Sequence, residues 1–210
     1  MNENGMEMRR VLDFDTALFR WVNGHHAPLL DWLLWTASQP WSWAAVLLAA
    51  YAWVLWRARH QGGGARPWGW LLLAGMALCF ALSDQVSVHG FKEVFQRPRP
   101  CHALEGVRMF RTRCGGQYGF VSSHAANACS VALFWGLCAL RICPRGARGR
   151  WLPLAALLAW AAVVGYSRPY LGKHYPGDVA CGALLGLAVG AAVYWMASAI
   201  LRRISSKRLA

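Results

Sequence analysis

The sequence predicts an all-α protein, a polytopic transmembrane helix bundle with about six membrane elements: five clear spans behind one broken N-terminal element. Three observations carry this. Hydrophobic residues make up 57% of the 210 positions and charged residues only 15%, against roughly 25% charged in ordinary soluble domains. The charges are clustered, and the tracts between clusters are about as long as the 17 to 25 residues that cross hydrocarbon as a helix. The basic clusters also recur at intervals of two tracts, the pattern of a chain that returns repeatedly to one side of a membrane.

Along the chain, residues 11–22 alternate apolar and polar positions and include Asp13, Asp15 and Arg20. Asn23-Gly24 breaks the helix, and 28–37 is apolar again except for Asp31. An interfacial helix followed by a short or tilted span fits this region, residues 1–40; a soluble amphipathic arm is the alternative. The five spans follow at roughly 41–56, 68–88, 122–140, 151–167 and 179–201. The start, MNENGMEMRR, lacks the charged n-region and uninterrupted apolar core of a cleavable signal peptide, so the spans themselves are expected to direct insertion. QGGGARP at 61–67 is the one linker-like stretch, no internal repeat is visible, and the length fits a single domain, 1–210.

The net charge of +13 would suit a nucleic-acid partner if it formed one face. It does not. Arg57, Arg59 and Arg66 share one short loop, Arg141, Arg145, Arg148 and Arg150 another, and Arg202, Arg203, Lys207 and Arg208 form the tail. Two spans separate each group from the next, which places all three, and the C-terminus, in the cytoplasm of an inner-membrane protein. A lipid bilayer, not nucleic acid, is the expected partner.

The connections at 89–121 and 167–178 then face the periplasm or exterior. The first carries Lys92, Arg97, Arg99, Arg108, Arg111 and Arg113. Basic residues there run against the orientation rule, and binding an anion is the expected reason. Three clusters meet on this face: Lys92-x6-Arg99-Pro100, then Ser122-Ser123-His124 at the start of a span, then Ser167-Arg168-x5-His174-x3-Asp178. Lys92, Arg99 and Arg168 supply permanent positive charge, and guanidinium forks match phosphate oxygens. Ser122 and the N–H groups of Ser123 and His124 open a helix, a ready anion site. Of the two histidines, one can attack phosphorus and the other can protonate the leaving oxygen. Asp178 can orient one of them and support the cation that forms.

Together these clusters resemble the tripartite signature of the type-2 phosphatidic acid phosphatase and vanadium haloperoxidase superfamily: Lys-x6-Arg-Pro, Pro-Ser-Gly-His and Ser-Arg-x5-His-x3-Asp. The resemblance covers residues 84–190. The second motif departs, with Val121 in place of Pro and Ser123 in place of Gly. The resemblance implies that His174 is the nucleophile and forms a phosphohistidine. Asp178 is then its orienting partner and His124 the general acid. Lys92, Arg99, Ser122, Ser123 and Arg168 form the phosphate cradle. It implies no cofactor and no metal, and in the membrane-spanning branch a lipid phosphate substrate. Candidates are undecaprenyl pyrophosphate, lipid A phosphate, phosphatidylglycerol phosphate and phosphatidic acid. A phosphotransferase of the same fold, a non-catalytic lipid- or anion-binding relative, and a transporter are the competing readings. A transporter would show inverted repeats or mid-membrane polar breaks, and neither is visible.

Of seven cysteines, Cys79, Cys129, Cys138, Cys143 and Cys181 lie in or at the ends of spans. Cys101 and Cys114 lie in the outward loop beside the first motif, and an oxidising compartment favours a disulfide between them. Asp84 is the one acid deep in a span and is expected to face the bundle interior or a polar cavity.

Overall fold

A chain in hydrocarbon must satisfy its own backbone N–H and C=O groups, and the apolar tracts accordingly fold as helices. A computed structural model describes residues 3–60, 65–144 and 146–207. The linker residues 61–64, Arg145 and Arg208 lie outside the described residues. The helices are α1 (Glu3–Gly24), α2 (Pro28–Ala37), α3 (Pro40–His60), α4 (Ala65–Gln85), α5 (Glu93–Phe95), α6 (Pro100–Ala103), α7 (Ser123–Ile142), α8 (Leu152–Tyr170) and α9 (Pro176–Lys207). A π-helical stretch, Val86–Lys92, joins α4 to α5. Among the described residues there is no strand ladder, only an isolated bridge between Pro98 and Tyr118.

Among the described residues, three helices are long and apolar enough to cross a membrane: Trp68–Phe95, Ser123–Ile142 and Pro176–Arg202. α2, with 10 residues, is about 15 Å long at 1.5 Å per residue, roughly half the hydrocarbon thickness.

α7 is the central post. Ala128, Val131, Ala132, Phe134, Trp135 and Cys138 along it are buried against α3, α4, α8 and α9. Its approach to α9 is unusually close. A Cβ on Gly182, Gly186 or Gly190 would fall 2.5, 2.2 and 2.4 Å from the carbonyl oxygens of Ser122, Ala126 and Ser130. Glycine every fourth residue thus lets two backbones meet along a seam, as small residues do between membrane helices. The seam begins at Ser122, so it also sets the second motif beside the third. Trp135 Nε1 donates to Leu72 O at 3.2 Å, tying α7 to α4.

α1 has three faces. Asp15, Phe19, Val22 and Asn23 are buried against the site end of α8 and α9. Val11, Phe14, Leu18 and Trp21 are exposed on an adjacent stripe. Asp13, Thr16 and Arg20 occupy the remaining face at helical spacing. The Asn23 amide donates to Tyr170 O at 2.9 Å and to Pro169 O at 3.4 Å, capping the C-terminus of α8. Asp31, the acid that interrupts apolar α2, is buried and takes both nitrogens of Arg108 (2.8 and 2.6 Å) and the Tyr170 hydroxyl (2.7 Å). It locks α2 to the connection between α6 and α7.

Candidate active site

The helices carry the site residues further than the span boundaries suggest. Lys92 ends the π-helical stretch instead of opening a loop, Arg168 sits in the last turn of α8, and Asp178 in the first turn of α9. A wide π turn changes the direction in which later side chains leave the helix, and here Lys92 reaches α7. Gln96, with φ 47°, then reverses the chain.

His174 lies in the short α8–α9 connection and is 3% exposed. Its Nδ1 meets Gly119 O at 2.9 Å. A carbonyl only accepts, so Nδ1 carries the proton and Nε2 keeps its lone pair. Nε2 receives a hydrogen bond from Arg99 Nη1 at 2.7 Å. Asp178 stands one step back, its Oδ2 3.6 Å from Nδ1. The partner that fixes the tautomer is thus the Gly119 carbonyl, and Asp178 contributes charge. A side chain at Gly119 would crowd both Arg99 and Asp178, with a Cβ 3.2 Å from each. Burial, then Arg99, Arg168 and Lys92, hold the His174 pKa well below the ordinary 6.5. The ring is neutral across the physiological range.

Three cations converge here without a carboxylate partner among the described residues. Arg168, 1% exposed, donates only to Ser167 Oγ, at 3.1 and 3.0 Å. Arg99 donates to the carbonyls of Gly116 (2.6 Å) and Lys173 (3.3 Å) besides His174. Lys92 Nζ donates to Ser123 Oγ at 2.5 Å, and that hydroxyl also meets Ser87 Oγ at 2.7 Å. Buried charge without a partner is costly, so the arrangement suits a dianion. Ser122 is fully buried and caps α7, accepting from Ala125 N at 3.5 Å; its own N–H goes to Asp178 O. The Ser123 and His124 amides therefore form the open N-terminus of α7.

His124 is exposed on the other side of this end, edge-on to Trp43 with ring centroids 5.8 Å apart. It stands at one end of an apolar groove of about 590 Å³ lined by Trp43, Leu47, Tyr51, Leu73, Met76 and Phe80. Asn127, one turn below, also lines the groove, and its Oδ1 is buried with no hydrogen-bond partner. The cationic pocket and a lipid-sized apolar groove thus meet across the two histidines.

Cys101 and Cys114 form a disulfide with Cα atoms 6.0 Å apart. Cys101, His102 and Cys114 are the described cluster compact enough to hold a metal ion, but the bridge consumes both thiolates. Asp84, expected to face the bundle interior or a polar cavity, is exposed on the bundle surface.

Arg97, expected among the anion-binding basic residues, is paired to Asp15 and Asp178 instead. Asp15 reads from sequence only as a polar position of the N-terminal segment, and Gly119, Asn127 and the glycine seam were passed over. Only the seam had a readable signal, glycines four residues apart in an apolar run.

Residues 68–202 match the PAP2 superfamily. The lipid A 4'-phosphatase of Bacteroides thetaiotaomicron is 30% identical over 200 residues, covering 92% of this chain and 81% of that protein. The enzyme of the same name from Porphyromonas gingivalis is 31% identical, covering 89% and 74%. The crystal structure of a transmembrane PAP2-type phosphatidylglycerolphosphate phosphatase from Bacillus subtilis superposes with TM-score 0.65. It is 19% identical, and the match covers 93% of this chain and 88% of that one; at this identity the likeness shows the fold. With the motif residues gathered at one end of the bundle, these matches establish that the chain belongs to the PAP2 superfamily and is a membrane phosphatase, a hydrolase of phosphoester bonds.

Proposed function

We propose that the protein is a lipid phosphate or pyrophosphate phosphatase of the inner membrane. Its single domain, 1–210, crosses the bilayer with α3, α4, α7, α8 and α9. The site opens to the periplasm or exterior and the C-terminus lies in the cytoplasm. The observation that carries the reading is the convergence of Lys92, Arg99 and Arg168 on a buried neutral His174, beside an apolar groove that ends at His124. Among the described residues, Arg57, Arg59, Arg141 and Arg202 fall at the opposite end of these helices, which supports the orientation.

In the mechanism, the phosphate group enters among the three cations and the α7 N-terminus. Its oxygens compete for the Arg99 hydrogen that holds the Nε2 lone pair, so binding unmasks the nucleophile. Nε2 attacks phosphorus in line. The bond from phosphorus to the leaving oxygen breaks, and that oxygen takes a proton from His124. Asp178 stabilises the positive charge on the ring. His124, now a base, takes a proton from water; the hydroxide attacks phosphorus, the P–N bond breaks and phosphate leaves. Positioning and charge stabilisation supply most of the rate, as expected for a loose phosphoryl transition state.

The acyl or prenyl chain lies in the groove below Trp43. Similarity to two lipid A 4'-phosphatases supports lipid A 4'-phosphate as the first candidate to test, ahead of undecaprenyl pyrophosphate, phosphatidylglycerol phosphate and phosphatidic acid. The test is phosphate release from these four lipids by the detergent-purified protein in the presence of a chelator, beside His174→Ala. Release from at least one lipid is expected, with loss of about 10⁴-fold or more in the variant, the scale of removing a nucleophile. A variant with wild-type turnover, or a wild type inert on all four, overturns the reading.

A further inference from the structure

Arg97 is not one of the signature positions, yet it holds the most constrained guanidinium at the site. Its Nη1 donates to Asp178 Oδ1 at 2.8 Å and its Nη2 to Asp15 Oδ2 at 2.8 Å. Its Cζ lies 4.0 Å from the centroid of the Tyr175 ring. With both terminal nitrogens on carboxylates and one face on an aromatic ring, this guanidinium is committed, unlike those of Arg99 and Arg168. It holds Asp178 and leaves phosphate to the others.

Asp15 belongs to α1, outside the residues that match the family. Its Oδ1 accepts from Gly177 N at 2.7 Å, and a Cβ on Gly177 would lie 2.8 Å from Asp15 Oδ2. Phe19, one turn on, packs edge-on against Tyr175 with ring centroids 5.5 Å apart. Tyr175 N in turn donates to Asp178 Oδ2 at 3.0 Å. Each oxygen of Asp178 is therefore held: Oδ1 by Arg97, which Asp15 anchors, and Oδ2 by a backbone segment against which Phe19 packs.

We propose that Arg97, anchored by Asp15 of the N-terminal amphipathic helix, is a positioning residue for the reaction. It fixes the Asp178 carboxylate at the distance from His174 where it supports the cationic ring of the transition state. The role of α1 is then catalytic support as well as anchorage. The inference rests on the assignment of His174 as nucleophile. It predicts a loss confined to the transition state, since Arg97 does not face the phosphate.

The test uses the full chain in detergent and two ligands. Orthovanadate mimics the five-coordinate transition state, and inorganic phosphate mimics the ground state. Asp15→Asn and Arg97→Lys are each expected to weaken orthovanadate about tenfold while phosphate affinity stays within twofold. The double variant is expected to lose about tenfold, not a hundredfold, because both changes cut one chain of contacts. On the lipid that the wild type hydrolyses, kcat falls about tenfold at unchanged KM. Thermal unfolding separates a structural role: a lower midpoint with both affinities unchanged, or with both weakened equally, overturns the proposal. So does a fully multiplicative double variant. A wild type that binds orthovanadate but releases no phosphate sinks the phosphatase reading while the two-ligand comparison still judges Arg97.

Discussion

The hydroxyl of Ser123 sits between Lys92 Nζ (2.5 Å) and Ser87 Oγ (2.7 Å). One of the two residues that depart from the family signature is therefore the one that holds the signature lysine. A hydrogen bond to a charged group contributes about 1.5–3 kcal/mol. Restoring glycine, Ser123→Gly, removes that hold and lets Lys92 wander. KM for the lipid phosphate is expected to rise three- to tenfold while kcat falls less than threefold. An unchanged KM in steady-state assays would show that the hydroxyl plays no part in phosphate binding.

Arg168 is buried, and among the described residues its hydrogen bonds go to Ser167 Oγ. An uncompensated buried charge costs several kcal/mol, so the fold carries it for the ligand. Arg168→Met is expected to lower kcat/KM by about 100-fold or more, as loss of a phosphate clamp does. In phosphate-free buffer it should raise the unfolding midpoint by a few degrees. Added phosphate should raise the wild-type midpoint and leave the variant's where it was. A variant that is both inactive and destabilised in phosphate-free buffer contradicts this account.

Burial and its cationic neighbours depress the pKa of His174, the proposed nucleophile, well below 6.5. The acid limb of kcat/KM assigned to this ring is expected below pH 6.5. Stability follows the same sign. Below about pH 6.5, the ordinary value, the unfolded chain binds a proton that the folded chain refuses, so stability present above that pH is lost as pH falls toward the folded value. Unfolding midpoints between pH 7.5 and 5 should fall more steeply for the wild type than for His174→Gln. Parallel slopes would show the ring to be unperturbed.

The Cys101–Cys114 disulfide closes a loop that runs directly into Gly115 and Gly116; the Gly116 carbonyl holds Arg99 Nε at 2.6 Å and the Gly115 carbonyl meets His102. A loop of this size is stabilised by about 3 kcal/mol on the chain-entropy view. Reduction, or the Cys101→Ser/Cys114→Ser pair, is expected to raise KM several-fold with the bundle intact. Circular dichroism and lipid turnover before and after reduction check this. Unchanged KM after complete reduction would separate the bridge from Arg99.

Much of the bundle was legible because its signals are local. The expected tracts at 41–56, 122–140 and 151–167 correspond to α3, α7 and α8, since uninterrupted apolar runs leave helices as the way to satisfy the backbone. The break at Asn23-Gly24 and the second apolar piece, Pro28–Ala37, also match α1 and α2. The ends were less legible. Lys92, Arg168 and Asp178 were placed in connections, yet helices continue through all three, because polar side chains at a helix end disturb nothing when they point into a shared polar site.

The sequence by itself determined the helical class, the clustering of its charges and the three motifs, each of which depends on residue type and short spacing. Only the tertiary structure decided how those residues are wired. The choice of Gly119 as the tautomer-fixing partner of His174 and the inward turn of Lys92 are examples. So are the Asp15–Arg97–Asp178 link and the backbone seam of Gly182, Gly186 and Gly190. Such contacts join positions as far as 162 residues apart, as from Asp15 to Gly177. Their energies arise from distance and burial, which no short window of sequence contains.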